Sequence, residues 1–296
     1  MLLATYNIHY GIGRDDRYDL QRALSEVAHA DVIALQEVEI GWARTNFDDQ
    51  IDAIRHEFPD YTIAWGPNID TLSTGSHGRR RQHGNVIASR YPILSIRNYL
   101  LPKYGSLDHL DQQKGALEAL VDTPLGPIRI YSTHFCSTSP AQSQLQAEWL
   151  LRHHQSAPGR GPVLAGAHSD PSWTSEPALP PMPVTAIVMG DLNFDDDSSA
   201  YEILVGDYTR RYGNLTRRDG FLDAWVRCNA GTSRENRLAT GATLLGHAPE
   251  RVDYCLVTPD LRPALRKAWV SHEAVGSDHQ PLFVDVDRGG DPACAG

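Results

Sequence analysis

Five times along this chain a short apolar run stops at polar or ionisable side chains. Val184 to Val188 leads into Met189-Gly190-Asp191-Leu192-Asn193. The N-terminal run ends in Thr5-Tyr6-Asn7-Ile8-His9, and Val32 to Leu35 ends in Gln36-Glu37. Ile128-Arg129-Ile130-Tyr131 passes into Ser132-Thr133-His134. Near the C-terminus stand Arg251-Val252-Asp253-Tyr254 and Gly276-Ser277-Asp278-His279. Short apolar runs bounded by such breaks read as buried strands. Strands of a layered α/β core run together, so their ends can converge on one rim. The pattern therefore predicts an α/β protein with its chemistry at the strand ends.

Between these runs the spacing is helical. Asp19 is placed to cap a helix whose Leu20, Ala23, Leu24, Val27 and Ala28 form one stripe. Phe47, Ile51, Ile54 and Phe58 fit a second amphipathic helix. Gln142 to His153 fits a third, with Leu145, Trp149 and Leu150 inward, and a short one lies near Ala200 to Leu204. Further strands are expected at Tyr61 to Trp65, Gly84 to Ser89, Phe221 to Val226, Val252 to Val257, Ala268 to Ser271 and Leu282 to Val286. Leu117 to Val121 and Ile128 to Ser132 form a hairpin around Thr123-Pro124-Leu125-Gly126. Asn68 to His83, with Arg79-Arg80-Arg81, reads as a solvated loop or as a phosphate clamp. Residues 156–183 are rich in Pro, Gly, Ser and Ala and read as an inserted loop. Residues 1–288 are expected to form one catalytic domain and 289–296 a disordered tail.

The residue types at the run ends have chemistry in common. Asn, Glu and Asp oxygens suit a hard divalent cation such as Mg2+ or Mn2+. A Glu closing an apolar strand is costly to bury without a cation or Arg beside it, which makes Glu37 the leading metal ligand. In an extended segment residues i and i+2 point the same way. Asp191 and Asn193 should then face one spot where a water could be held and deprotonated, once Gly190 lets the chain turn.

With these motifs in this order, from about residue 2 to residue 287, the chain resembles the endonuclease/exonuclease/phosphatase superfamily. The resemblance implies a four-layer α/β sandwich: two packed mixed β-sheets flanked by helices. It implies Asn7 as a second metal ligand beside Glu37, with Asp278 completing the shell directly or through water. Asp191 would orient or deprotonate the attacking water, and Asn193 would hold that water or a phosphate oxygen. His279 would stabilise developing charge with Asp253 behind it, and His134 would donate to a phosphoryl oxygen. Nuclease-type members often carry a short acidic or amide residue two positions after the first Asn. Here that position is His9, so any metal contact there is replaced by a substrate contact or none. Arg81, His83, His9 and Trp173 are candidate substrate-binding residues. Lys114, before Gly115-Ala116-Leu117, reads as an exposed lysine at a strand start, with a phosphate-facing role as the alternative.

Composition narrows the substrate. Acids outnumber bases, giving a formal net charge of -10. A protein that grips duplex backbone along a groove usually shows the reverse. The expected substrate is thus a small-molecule or lipid-headgroup phosphodiester or phosphomonoester. A DNA or RNA nuclease is the alternative, and an inactive binding scaffold a more distant one. The four cysteines show no paired spacing, which fits reduced thiols. No apolar run approaches the roughly 20 residues of a membrane span, and no leader is expected ahead of the first strand. The sequence reads as a cytoplasmic protein; its oligomeric state is not legible.

Overall fold

The computed structural model describes residues 1–73, 80–173, 179–229, 243–245 and 248–287. Arg79 and the tail expected at 289–296 lie outside the described residues. The first half of the chain supplies strands β1 (Leu2–Asn7), β2 (Val32–Ile40), β3 (Thr62–Leu72), β4 (Arg80–Ser89), β5 (Ile93–Leu100), β6 (Gly115–Thr123) and β7 (Gly126–His134). Its helices are α1 (Leu20–Ser25), α2 (Gln50–Glu57), α3 (Pro140–Gln155) and α4 (Ala157–Arg160). The second half supplies β8 (Ala186–Asp191), α5 (Ser199–Val205), a ribbon of β9 (Tyr208–Thr209) with β10 (Gly213–Asn214), β11 (Leu222–Asp223) and α6 (Ala224–Cys228). A second ribbon, β12 (Thr243–Leu245) with β13 (Ala248–Glu250), precedes β14 (Asp253–Val257), β15 (Leu265–Val270) and β16 (Leu282–Val286).

Two six-stranded sheets result, ordered β15-β16-β1-β2-β4-β3 and β11-β14-β8-β7-β6-β5. Each is mixed: β1 and β2 run parallel in one, β7 and β8 in the other, and the remaining pairs are antiparallel. Alternation along each strand decides the layering. In β8, Ile187 and Met189 enter the core between the sheets, whereas Ala186 and Val188 face α3 and α5. In β1, Leu3 faces inward while Ala4 and Tyr6 pack under α1 and α2. Both faces of these strands are buried, so their sequences are continuously apolar. A fully buried Leu, Ile or Val contributes roughly 1.5–3 kcal/mol, against about 1 kcal/mol for a helix cap. The strand faces therefore fix the architecture, and caps such as Asp19, Asp49 and Ser139 trim it. The expected four-layer sandwich is what forms.

Several elements differ from the sequence reading. Phe47 is 41% exposed and lies outside α2, which starts only after the Asp49 cap. Leu145 is 40% exposed on α3, whereas Leu150 is buried and Trp149 packs half-buried against the same cluster, as expected. The strand expected over Phe221 to Val226 stops at Asp223, whose carboxylate accepts from the Val226 N–H and starts α6. β5 has no counterpart in the sequence reading: it is an edge strand with alternating exposure, and Leu94, Ile96 and Leu100 face out. The stretch read as a loop over Asn68 to His83 is largely the outward continuation of the β3–β4 hairpin, paired as far as Leu72 opposite Arg80. Within 156–183, α4 and a short 3-10 turn at Pro171–Trp173 are the helical pieces and no strand forms among the described residues.

Candidate active site

The parallel pairs end on the same side of the two sheets. Asn7 at the end of β1 is in register with Gln36 of β2, and His134 at the end of β7 with Asp191 of β8. The sheets are tied across this rim by buried polar bonds. Gln36 Nε2 donates to Ser132 Oγ at 3.0 Å, and Asn7 Nδ2 to Asp191 Oδ2 at 3.0 Å. The strand ends enclose a polar cleft of ≈ 200 Å³ bordered by Asn7, Glu37, Lys114, His134, Asp191 and His279, with Asn193 and Cys136 beside them.

Local backbone explains how the side chains reach it. Glu37 does not end its strand. It sits on a β-bulge in the β2–β4 ladder with φ 59°, and β2 continues to Ile40. A bulge re-aims a side chain, here a carboxylate toward the cleft. Gly190 does not turn the chain either. It lies within β8, where a Cβ would come 1.8 Å from the Thr133 carbonyl oxygen of β7. The turn comes at Asn193, φ 49°, whose N–H donates to Asp191 Oδ1 at 3.0 Å and whose Nδ2 donates to the Phe135 carbonyl at 3.2 Å. Asp191 and Asn193 thus share the cleft through a left-handed turn instead of strand alternation.

The charges are strongly coupled. His279 Nδ1 lies 2.8 Å from Asp253 Oδ2, which also accepts from Thr243 Oγ1 at 2.9 Å. On the other ring edge, His279 Nε2 is 3.7 Å from Asp191 Oδ2. Burial alone would lower the imidazolium, but the Asp253 and Asp191 carboxylates reverse this and raise it to about 10. Burial lifts the Asp191 carboxyl to about 6 against the pull of His279. Burial also opposes ionisation of Glu37, yet the charges of His83, Lys114, His279 and His9 hold its carboxyl below the usual range.

Lys114, read from sequence as an exposed lysine, is 6% exposed and lines the cleft. Its Nζ lies 2.9 Å from His134 Nε2 and donates to Gln112 Oε1 at 3.2 Å. Burial lowers its pKa while Glu37 and Asp191 oppose the fall. An ammonium can only donate, so His134 Nε2 is the acceptor and its proton sits on Nδ1, 3.8 Å from Glu37 Oε1. Burial and the Lys114 charge keep His134 neutral by depressing its pKa well below the usual value. The signal for Lys114 was the hairpin: Thr123 opposite Gly126 sets a ladder in which Gly115 meets His134.

Other expected site residues stand elsewhere. Asp278 lies at the rim, half-exposed, with Oδ1 3.7 Å from His9 Nδ1. His9, φ 43°, turns its Nδ1 toward the Ile12 carbonyl at 3.3 Å. His83 is buried behind Glu37, and its Nδ1 meets Glu39 Oε1 at 3.1 Å. Arg81 does not border the cleft. Its Nε donates to Thr71 Oγ1 at 2.9 Å and its guanidinium lies on the Trp42 ring, 4.5 Å from the centroid. Trp173 is 60% exposed and packs near His168, also away from the cleft. The hairpin twist carries Arg81 outward, and the 3-10 turn leaves Trp173 in solvent.

Among the described residues no three His, Cys, Asp or Glu side chains gather into a ready-made metal cage. The donor set nonetheless fits Mg2+ or Mn2+. Glu37 offers an ionised carboxylate in a polar cleft, and Asn7, whose Oδ1 accepts the His9 N–H at 3.1 Å, lines the same cleft and has a second lone pair on that oxygen to give. Mg2+ is commonly held by one or two carboxylates while keeping several waters for substrate oxygens to replace.

Residues 4–279 match the sequence model of the Endonuclease/Exonuclease/phosphatase family. No protein with a curated description matches significantly. Solved structures share the fold at low identity. An endonuclease/exonuclease/phosphatase from Bacteroides vulgatus is 19% identical with a TM-score of 0.63, covering 97% of this chain and 98% of that one. A mannosyl-6-phosphatase from Bacteroides thetaiotaomicron is 15% identical with a TM-score of 0.58, over 97% and 99% of the two chains. TDP2 from Caenorhabditis elegans is 16% identical with a TM-score of 0.59, over 97% of this chain and 74% of that one.

Proposed function

Because this chain belongs to the endonuclease/exonuclease/phosphatase family, we propose that it is a divalent-metal-dependent phosphoesterase acting on a small or lipid-headgroup phosphate ester by in-line attack of water. The observation that carries the reading is the meeting of Asp191, His279, Lys114 and Glu37 from two sheets in one polar cleft. Glu37 and Asn7 would hold Mg2+ or Mn2+, which when bound supplies Lewis-acid neutralisation of phosphoryl charge.

The remaining steps belong to side chains. Asp191, raised to about 6, is ionised at neutral pH and basic enough to take a proton from a water held beside Asn193. His279, kept protonated by Asp253, presents its Nε2 edge to negative charge growing on the phosphoryl oxygens. Lys114 adds a second fixed cation. His134, expected from the resemblance to donate to phosphate, would in addition position the Lys114 ammonium through Nε2 and keep its Nδ1–H as the donor. Among the described residues no Ser or Cys side chain of the cleft is hydrogen-bonded to a His base, and Cys136 Sγ turns to Asp111, so the reading is direct hydrolysis without a covalent enzyme intermediate.

This assignment orders the variants. Asp191→Asn and His279→Ala are each expected to lower kcat on bis-p-nitrophenyl phosphate with Mg2+ by at least about 100-fold, the scale of general-base and transition-state charge terms. Asp253→Asn, acting through His279, is expected to cost less. A nearly silent His279→Ala beside a severely impaired Asp253→Asn would reject these roles.

A further inference from the structure

Strands β15 and β3 form the edges of one sheet, and β11 and β5 the edges of the other. An edge strand presents a row of unpaired N–H and C=O groups, which soluble proteins blunt by brevity, charge, proline or bulges. β11 is only two residues long. β15 carries Arg266 and Lys267, with a bulge between Leu265 and Lys267. β3 carries Pro67, a bulge between Pro67 and Ile69, and Asp70 ion-paired with Arg80 at 2.7 Å. β5 differs. Its bulge lies at the start, between Ile93 and Ser95, and Ser95 to Leu100 then runs in unbroken register with β6. Among the described residues the main chain of β5 pairs with β6 alone.

The side chains of β5 leave this edge open to a neighbour. Leu94, Ile96 and Leu100 stand on one face, 40%, 45% and 56% exposed. Asn98, between them on that face, donates through Nδ2 to the Pro67 carbonyl at 2.8 Å. Arg97 is the single charge on the strand and is engaged on the opposite face. Its Nη2 donates to the Gly161 carbonyl at 3.0 Å, and its Nη1 lies 3.8 Å from Glu118 Oε1. The formal net charge of the chain is -10, so two copies repel in general. They meet at least cost on an edge that offers free backbone, apolar side chains and no uncompensated charge.

We propose that β5 is a homodimer interface, pairing antiparallel with β5 of a second copy about a two-fold axis. An antiparallel edge is self-complementary under such an axis. Residues opposite each other in the pair share a face, so the apolar row of one copy meets the apolar row of the other. With the axis at Asn98, Ile96 of each copy stands opposite Leu100 of its partner. Centring on Arg97 would instead set two guanidinium groups opposite each other. The paired sheet then runs through both molecules, and neither β5 edge stays open.

Sedimentation velocity of the full chain between about 1 and 100 µM tests this, over the range expected of a small interface. The parent is expected to approach twice its 32.8 kDa at the upper end. Ile96→Lys is expected to raise the dimer Kd at least about 10-fold, because each lysine would be desolvated against Leu100 of the other copy. Leu215→Lys, also at a half-exposed leucine but away from β5, changes the net charge equally and is expected to leave the Kd unchanged or slightly lower. Amide hydrogen exchange on the parent needs no variant: peptides spanning Ser95 to Leu100 are expected to exchange more slowly at about 100 µM than at about 1 µM. A parent that stays monomeric throughout would overturn the inference and leave the edge to a different partner. Equal Kd values for parent and Ile96→Lys, β5 exchange independent of concentration, or open-ended assembly beyond the dimer would each overturn it as well.

Discussion

Glu37 and Asn193 occupy left-handed backbone, φ 59° and 49°, and His9 and Tyr10 do the same nearby. Such conformations cost about 1–3 kcal/mol each and persist where surrounding structure enforces them. Their clustering beside one cleft is an observation independent of residue chemistry. It also marks what the sequence hid: Glu37 and Asn193 were legible as polar residues at run ends, but their aim depends on a bulge and a left-handed turn. Gly190 illustrates the same limit. Its role is close approach to Thr133, which no local pattern reveals. Gly190→Ala is therefore expected to lose at least about 2 kcal/mol of stability, as overpacking against fixed backbone does. Urea denaturation checks this, and an unchanged midpoint would show that the two strands can part freely.

At the scale of elements, the central strands were readable because burial on both faces makes them continuously apolar. β5 escaped notice because an edge strand with a half-exposed pattern resembles a loop in sequence. α3 was readable as a helix, though its buried polar network was not. Arg129 Nη2 donates to His154 Nδ1 at 2.9 Å, and the same guanidinium holds the Pro183 and Val184 carbonyls that lead into β8. An arginine stays charged, so His154 must be neutral. Burial, with Arg129 assisting, lowers its pKa from 6.5 to about 4. The unfolded chain then binds the proton more readily, and the stability from this contact is full above pH 6.5 and lost as pH falls toward 4. The urea midpoint is expected to fall from pH 7 to pH 5, with His154→Gln reducing that fall. An equally steep fall in the variant would place the acid sensitivity elsewhere.

At the scale of the molecule, two sheets with parallel central pairs bring ends from distant sequence together, Asn7 onto Asp191 and Asp253 onto His279. Motif order made this fold legible, since Asn7, His134 and Asp191 close β1, β7 and β8, while Glu37 stands on a bulge within β2 and His279 in the loop before β16. Arg81, His83 and Trp173 were less legible because loop and hairpin trajectories decide which way they face. The formal charge of -10 and a cleft walled by carboxylates as well as cations suit a compact ester better than a long polyanion. The central claim is that Glu37 recruits a divalent cation to phosphate-ester hydrolysis, and bis-p-nitrophenyl phosphate turnover titrated with Mg2+ in parent and Glu37→Gln proteins tests it most directly. The parent is expected to be stimulated by Mg2+ and silenced by EDTA. The folded variant is expected to lose most of that stimulation, by at least about 100-fold. Full activity of Glu37→Gln in the presence of EDTA would contradict the claim.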